Sequence, residues 1–315
     1  MTYKTKLAFL SILALAVIAI FLTINAGGNW DYVLPRRAWK IATMVLTGAC
    51  IAFSTVIFQT ITNNKILTPN IIGLDSMYML VQTAVVYVFG SSTKLLVDNN
   101  LNFAMTLFLM MLFAGLLYKM MFKREGGHIY HLLLVGIIMG TLLGSLTTFM
   151  QVLIDPNEFL VLQGKMFASY NKVQGQLTTI CFVVVLIIAA YYSRFAKYMD
   201  VLSLGKDQAV NLGVDYHYVI KRMLLIIAAL ISVATALVGP ITFLGLLVAN
   251  VTYQFMRTYK HSLIIPASIL LSVIALVGGQ LIVERVFTFT TTLSVIVNLV
   301  GGLYFLYLLL RENKS

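Results

Sequence analysis

Charged residues are scarce in this chain, and their scarcity excludes most soluble folds. Of the 315 residues only 10% are charged, whereas 60% are hydrophobic and the mean hydropathy is +0.93. A soluble globular protein carries about 25% charged residues, so most of this surface cannot face water. The uncharged runs are too long for barrel strands, and only helices and closed barrels can cross lipid. The sequence therefore predicts an all-α, polytopic membrane protein.

Cysteines and recognisable catalytic motifs are also few. Cys50 and Cys181 both fall inside apolar runs, which favours small buried side chains over a disulfide framework. The sequence has no Walker A loop, no aspartate-rich cluster and no defensible Ser-His or Cys-His pair. We therefore expect a chain that is not an enzyme, holds no cofactor or metal, and cannot hydrolyse ATP by itself.

Apolar runs of about the length needed to cross a bilayer occur ten times. They predict a single membrane domain over residues 1–315, with spans at Leu7–Ile24, Ile41–Ile61, Ile71–Phe89, Leu101–Met121, Tyr130–Ile154, Leu177–Tyr192, Met223–Val238, Ile241–Met256, Ser262–Val283 and Leu293–Leu310. The division at Gly239–Pro240 is open, because these residues fit either a tight hairpin or one long kinked helix. The first run lacks a clear cleavage site, so we interpret it as a retained helix rather than a signal peptide.

The net charge of +11 follows membrane topology rather than a nucleic-acid surface. With both termini in the cytoplasm, most of the 22 basic residues fall in cytoplasmic loops, as the positive-inside rule requires. Arg36, Arg37 and Lys40 oppose this rule in one short outer loop, and Arg285 lies beside Glu284 near the end of the ninth span. Two interpretations stay open: an acidic partner outside the membrane, or side chains that reach lipid phosphates.

Small and polar residues interrupt the second span and its exit. Small residues allow helices to approach closely in lipid, and a break bounded by Pro69 and Gly73 indicates irregular backbone that lines a cavity. The alternative is an ordinary packing face followed by a turn. On the first interpretation, the side chains expected to line a pathway are Ser54, Thr55, Gln59, Asn63 and Asn64.

Between Gly205 and Gly213 the sequence alternates apolar and polar residues. Gly205 allows a sharp turn, and Gly213 can end a short helix in the left-handed conformation. The pattern over about residues 199–216 predicts one or two short amphipathic helices at the membrane surface. Such helices need a docking partner, either lipid or a cytoplasmic protein.

Ionisable residues inside the spans are few, and Asp75 near the start of the third span is the main one. It leaves an ion-coupled secondary transporter as a rival function, although one carboxylate is little for a proton relay. The structural alternative is an acid in the first turn of a helix, where the positive end of the helix dipole favours it.

These segments resemble the FecCD family, the permease subunits of type II ATP-binding-cassette (ABC) importers for iron–siderophore complexes, haem and vitamin B12. The most specific match is L-x-L-G-x3-A-x2-L-G-V over residues 202–214, followed by G-P-I-x-F-x-G-L-x-V over 239–248. A third family pattern recurs in Gly48, Ala49, Ala52, Gln59, Asn64, Pro69 and Gly73. The family's V-P-H is replaced by Val248-Ala249-Asn250, and the divergent pattern looks like the second permease of Gram-positive catecholate siderophore importers, the petrobactin type in particular.

The resemblance implies the type II importer fold with a site at each face of the membrane. The residues that would contact a separate cytoplasmic ATPase are Leu204, Gly205, Ala209, Leu212, Gly213 and Val214. Those that would pair with glutamates of an extracytoplasmic siderophore-binding lipoprotein are Arg37, Lys40 and Arg285. It also implies a second permease, expected to be a distinct homologue rather than an identical copy. The expected cargo is a ferric siderophore, with haem or a cobalamin as alternatives on the same fold.

Overall fold

The structure is a computed structural model that describes residues 2–24, 30–122, 129–171, 174–289 and 291–312. Every regular element in these ranges is helical. In chain order the α-helices are α1 (Tyr3–Thr23), α2 (Trp30–Thr62), α3 (Leu74–Phe89), α4 (Lys94–Val97), α5 (Asn99–Phe122), α6 (Ile129–Leu153), α7 (Pro156–Met166), α8 (Gly175–Ser193), α9 (Ala196–Leu202), α10 (Lys206–Asn211), α11 (Tyr216–Val238), α12 (Leu244–Met256), α13 (His261–Arg285) and α14 (Leu293–Glu312). A 3-10 helix over Pro69–Ile72 lies between α2 and α3.

Seven of the described helices are long and apolar enough to cross a membrane, and three shorter apolar helices accompany them. The long ones are α1, α2, α5, α6, α8, α11 and α13, and the shorter ones are α3, α12 and α14. Each of the ten predicted spans falls on its own helix, so the all-α polytopic class is confirmed. The open division is a hairpin, because α11 ends at Val238, Gly239 has a φ of 99° and α12 begins at Leu244.

Helix α2 occupies the centre of the bundle. In its most apolar window 83% of the residues are buried, against 17% in α1, 28% in α6 and 22% in α8. It packs against α8, α11, α12 and α13, which cover it on several sides. A helix that is apolar all round belongs in a core. The outer helices instead keep apolar faces on the outside of the bundle, where lipid can cover them.

The start of α2 corrects the predicted position of three basic residues. The helix begins at Trp30, well before the predicted second span, so Arg36, Arg37 and Lys40 lie on a helix and not in a loop. Hydropathy marks only the part of a helix that crosses hydrocarbon, whereas the backbone bonds of a helix can continue past it into the polar interface. Pro35 removes one backbone donor within these early turns without ending the helix.

The 3-10 helix and the residue after it pass very close to α6. An ideal Cβ on Gly136 would lie 2.8 Å from the Ile72 Cα, and one on Gly73 would lie 2.9 Å from the Gly140 Cα. Gly73 also has a φ of +90°, which other residues rarely adopt. These glycines let the irregular backbone after α2 pack against α6 inside the bundle, as the requirement for protein cover in lipid demands.

The two ends of the bundle are named here by their short helices. At the α9–α10 end, Thr60 near the end of α2 and Asp200 of α9 both contact His261 at the start of α13. At the α7 end, Lys40 of α2 contacts Asn171 in the connection between α7 and α8. Helix α2 therefore runs from the α7 end to the α9–α10 end.

Candidate functional site

The two glycines of the 199–216 segment adopt the conformations that the sequence predicts. Gly205 precedes α10 with a φ of 100°, and Gly213 follows it with a φ of 81°. The Val214 amide donates to the Ala209 carbonyl at 3.0 Å, which closes α10 in the manner of a Schellman motif. The segment is thus a short helix held between two turns that favour glycine.

The 199–216 segment has a packed side and an exposed apolar side. Ala209 and Val214 are buried, whereas Leu204, Val210 and Leu212 are exposed by 58%, 50% and 64%. Several large apolar side chains exposed on one short element mark a surface for a protein partner or for lipid. Of the six predicted contact residues, Leu204 and Leu212 therefore present exposed apolar side chains, and Ala209 and Val214 face the bundle. Gly205 and Gly213 form the turns on either side of α10.

A chain of three side chains lies beside this segment. Asp200 Oδ1 lies 2.6 Å from His261 Nδ1 and accepts the His261 backbone N–H at 2.9 Å. The other ring nitrogen, Nε2, lies 2.7 Å from Thr60 Oγ1. Partial burial raises the pKa of Asp200, but the hydrogen bonds from His261 and the charges of His261 and Lys260 outweigh burial, so the pKa lies below its ordinary value. The sequence analysis did not predict these three contacts, for which the only sequence signal was a histidine at the end of a span.

A cavity of about 530 Å³ opens next to these residues at the α9–α10 end. Its wall contains Gln59 and Asn63, two of the predicted pathway residues. The 199–216 segment contributes Ser203 and Leu204. The other lining residues, which were not predicted, are Thr60, Lys65, Tyr253, Thr258, Tyr259, His261 and Ile264. The cavity therefore borders both the central helix and the segment proposed from the sequence as a docking element.

The other predicted pathway residues lie outside this cavity wall. Ser54 and Thr55 are buried in the bundle, where Thr55 fills the space in front of Gly245 of α12. Asn64 is half-buried, and its Oδ1 accepts the Ile66 N–H at 2.9 Å. In this structure these side chains serve helix packing and a turn, and their contribution to a pathway stays a prediction.

The backbone after α2 is anchored through the carbonyl of Lys65. Gln59 Nε2 donates to this oxygen at 2.7 Å, and Asn250 Nδ2 donates to it at 2.9 Å. Asn250 stands in the tripeptide that departs from the family's V-P-H. The asparagine at this position therefore has a structural role, because its side-chain amide bonds α12 to the irregular backbone after α2.

Asp75 lies where the stretch between α2 and α3 meets the connection between α11 and α12. It sits in the first turn of α3, and its Oδ2 accepts a hydrogen bond from Thr242 Oγ1 at 3.1 Å. Asn70 Nδ2 lies 3.5 Å from the Thr242 carbonyl. This is the placement that the structural interpretation of Asp75 predicts, an acid at the start of a helix.

At the α7 end, two predicted docking residues reach the end of α1. Arg285 Nη2 donates to the Ile24 carbonyl at 3.1 Å, and its side chain is exposed. Arg37 Nη1 donates at 2.8–3.0 Å to the carbonyls of Phe21, Leu22 and Ile24. Cations at a helix C-terminus satisfy free carbonyls and interact favourably with the helix dipole. Both arginines therefore have a role within the chain as well as a place on its surface.

Lys40, the third predicted docking residue, is paired within the chain. Its Nζ lies 2.8 Å from Glu284 Oε1 and 2.9 Å from Asn171 Oδ1. Glu284 Oε1 also accepts from Gln280 Nε2 at 2.9 Å. The three predicted residues thus lie together at the α7 end, where Arg285 is the most accessible of them.

Within the part of the chain that the structure describes, no group of three or more His, Cys, Asp or Glu side chains is placed to hold a metal ion. Cys50 and Cys181 are free thiols, and both are buried.

The described residues thus form a bundle of apolar helices with an exposed apolar segment at one end and the basic residues Arg37, Lys40 and Arg285 at the other. The FecCD transport family matches residues 5–311, and the chain belongs to this family. The family resemblance drawn from the motifs is therefore confirmed.

Individual relatives agree with this assignment. The chain is 57% identical to the petrobactin import system permease protein YclO of Bacillus subtilis over 315 residues, which is all of both chains. It is 24% identical to the petrobactin import system permease protein YclN of the same organism, covering 98% of this chain and 99% of YclN. A solved structure described as an inward-facing conformation of a metal-chelate type ABC transporter matches with a TM-score of 0.85 at 20% identity, covering 98% of this chain and 99% of that one. The last comparison establishes the shared fold.

Proposed function

We propose that this chain is a permease subunit of an ABC importer that carries a ferric siderophore of the petrobactin type into the cytoplasm. The observation that carries the proposal is the 57% identity to YclO along the full length of both proteins. The apolar 199–216 segment and the basic α7 end supply the two separate surfaces that such a subunit needs.

The α9–α10 end is the cytoplasmic face in this proposal, with both termini on that side. Lys6 Nζ donates to the Phe255 carbonyl at 2.6 Å, which brings the start of α1 to the end of α12. Ser294 Oγ accepts the Ala168 N–H at 3.1 Å, so α14 starts at the α7 end. It then runs toward the α9–α10 end, where the C-terminus would lie. The cytoplasmic side then holds Arg194 and Lys197 at α9, Lys206 of α10, and Arg257 and Lys260 between α12 and α13, as the positive-inside rule requires.

The exposed side of the 199–216 segment is the docking surface for a separate ATPase. Leu204, Val210 and Leu212 would enter an apolar groove on that subunit and lose their contact with water. Gly205 and Gly213 hold the segment in the shape that presents these side chains. ATP hydrolysis belongs to the partner, because this chain has no Walker A loop.

Two further partners complete the assembly. A siderophore-binding lipoprotein would dock on the α7 end, with carboxylates facing Arg285, Arg37 and Lys40. A second, distinct permease would supply the other half of the pathway, and the match of this chain to both YclO and YclN of one organism supports a pair of different permeases. An identical copy as the mate is the alternative outcome of a purification experiment.

Cargo would leave through the cavity at the α9–α10 end. Gln59 and Asn63 present polar groups to this cavity without a cluster of charges. A conduit must not hold its cargo tightly, and small polar side chains meet that requirement. Ser54, Thr55 and Asn64 do not line this cavity, and in the proposal they would line the pathway in another conformation of the transporter.

The rival function is ion-coupled transport through Asp75, and a direct experiment separates the two. The complex of this chain, its mate permease, the ATPase and the lipoprotein is reconstituted in proteoliposomes and supplied with ferric petrobactin. ATP-dependent uptake that persists in a protonophore and stops without the ATPase is the expected result. Uptake that continues without the ATPase and collapses with the protonophore would support the rival instead. Competition by haem or a cobalamin tests the alternative cargoes.

The docking surface has its own matched pair of variants. Leu204→Glu with Leu212→Glu places two charges on the exposed side of the segment and should prevent co-purification of the ATPase. Val97→Glu changes a similarly exposed apolar residue of α4, away from the segment, and should leave co-purification intact. Retention of the ATPase by the double variant would refute the docking surface.

A further inference from the structure

A hydrogen-bonded chain connects the 199–216 segment to the central helix of the bundle. Asp200 belongs to this segment, His261 begins α13, and Thr60 lies near the end of α2. The two links measure 2.6 Å between Asp200 and His261 and 2.7 Å between His261 and Thr60. One side chain, His261, therefore touches both the segment and α2.

The hydrogen bond between His261 and Thr60 can form with either side chain as the donor. A carboxylate only accepts, so His261 Nδ1 donates to Asp200. The Thr60 hydroxyl has one proton and two acceptors within reach, the Val56 carbonyl at 2.9 Å and His261 Nε2 at 2.7 Å. If Thr60 donates to Val56 it accepts from Nε2, and if it donates to Nε2 it gives up Val56. The bond between His261 and Thr60 exists in both arrangements.

Burial makes the link costly to break. His261 and Thr60 are both buried, with 5% and 7% of their surfaces exposed. A polar group that loses its partner in such a place leaves an unsatisfied donor or acceptor, which costs more than the net value of the bond. Asp200 also accepts the backbone N–H of His261, so it holds the first turn of α13 as well as the ring.

The cavity at the α9–α10 end lies directly against the link. Thr60 and His261 line it together with Ser203 and Leu204 of the 199–216 segment. A shift of the segment that preserves these hydrogen bonds would carry the start of α13 and the end of α2 with it. The shape of the cavity would change in the same movement.

We infer that His261 is a positioning residue for transport, which ties the 199–216 segment to the end of α2 so that movement of the segment reshapes the exit cavity. The inference rests on the proposed function, because a partner ATPase supplies the movement. It adds to that function a named route from the docking surface to the pathway.

The test uses the reconstituted complex and three threonine variants. Thr60→Val removes the hydroxyl and keeps the shape, and Thr60→Ser keeps the hydroxyl. Thr252→Val is the matched control, since Thr252 is also buried and its hydroxyl donates to a carbonyl of its own helix, that of Val248, at 2.7 Å. His261→Asn is a fourth variant that retains a donor toward Asp200 but is too short to reach Thr60. The measured quantity is siderophore transported per ATP hydrolysed, with thermal stability recorded beside it.

Thr60→Val and His261→Asn should lower transport per ATP about fivefold, the scale of one lost hydrogen bond, while the ATPase rate is kept. Thr60→Ser and Thr252→Val should leave the ratio at the wild-type value. An unchanged ratio in Thr60→Val, or an equal fall in Thr252→Val, overturns the inference, and the two Thr60 variants decide even if His261→Asn fails to fold. A wild-type complex without ATP-driven uptake would instead refute the proposed function.

Discussion

Lys40 Nζ lies 2.8 Å from Glu284 Oε1, and this ion pair joins α2 to α13 at the α7 end of the bundle. The two side chains are only 12% and 11% exposed, so water screens them little. Asn171 and Gln280 supply further hydrogen bonds to the pair. The pair therefore holds the central helix to α13 at the end opposite the cavity lined by Thr60 and His261.

Replacing Lys40 by Met should destabilise the protein, because Glu284 would keep a largely buried charge without its partner. Loss of one member of a buried pair costs on the order of 3 kcal/mol. The measurement is the melting temperature of the purified chain in detergent. Arg36→Met is the control, since Arg36 is exposed and its contact is a hydrogen bond of 3.4 Å to Tyr32. The double variant Lys40→Met with Glu284→Met should recover part of the loss, and equal melting temperatures for wild type and Lys40→Met would contradict the role of the pair.

Reversal of charge at the α7 end should weaken docking of the siderophore-binding lipoprotein. Arg285→Glu is the cleanest variant, because Arg285 is exposed and its hydrogen bond to the Ile24 carbonyl lies at the surface. We expect at least a tenfold rise in Kd, since like charges across an interface cost several kcal/mol. Arg37→Glu with Lys40→Glu should act in the same direction, with added loss of stability.

The docking experiment measures binding of the lipoprotein to the permease complex in nanodiscs at low and high salt. Lys119→Glu reverses an exposed charge near the far end of α5 and should leave the Kd unchanged. An unaltered Kd for Arg285→Glu and for the double reversal would show that the basic residues of the α7 end do not bind the lipoprotein.

Gly205→Val should uncouple ATP hydrolysis from uptake. The φ of 100° at Gly205 is unfavourable for a β-branched residue, so the turn before α10 would change and the exposed leucines would move. Gly90 has a φ of 75° at the end of α3, outside the segment, which makes Gly90→Val the matched strained control. Both variants should lose stability, but only Gly205→Val should lower transport per ATP. Normal coupling in Gly205→Val would contradict the assignment of the segment.

The close contact between α2 and α12 depends on glycine at position 245, where a side chain would not fit. A Cβ on Gly245 would overlap Thr55 Oγ1, so Gly245→Ala should cost about 1–3 kcal/mol through overpacking. Thr55→Ala added to Gly245→Ala should restore part of the stability. Gly144→Ala is the control, because a Cβ there meets nothing within 4 Å. Thermal melting that shows no difference between Gly245→Ala and Gly144→Ala would refute this packing.

Hydropathy and glycine spacing predicted the helices and the shape of the 199–216 segment, because both depend on local sequence. Apolar length located the spans, and Gly205 and Gly213 marked positive φ angles that the structure contains. The early start of α2 escaped prediction, since hydropathy follows the hydrocarbon layer and not the end of a helix. The link between His261 and Thr60 escaped it too, because it joins residues far apart in the chain and no periodic pattern encodes such a contact.

The most direct test of the account asks which side of the membrane holds the 199–216 segment. Leu212→Cys introduces an exposed thiol, whereas Cys50 and Cys181 are buried and should give little background. Val286→Cys provides an exposed thiol at the α7 end for comparison. In cells that lack the ATPase, which would otherwise cover Leu212, a membrane-impermeant thiol reagent should label Val286→Cys in intact cells and Leu212→Cys only in inverted vesicles. Labelling of Leu212→Cys in intact cells would place the segment outside, where no ATPase can reach it, and would contradict the account.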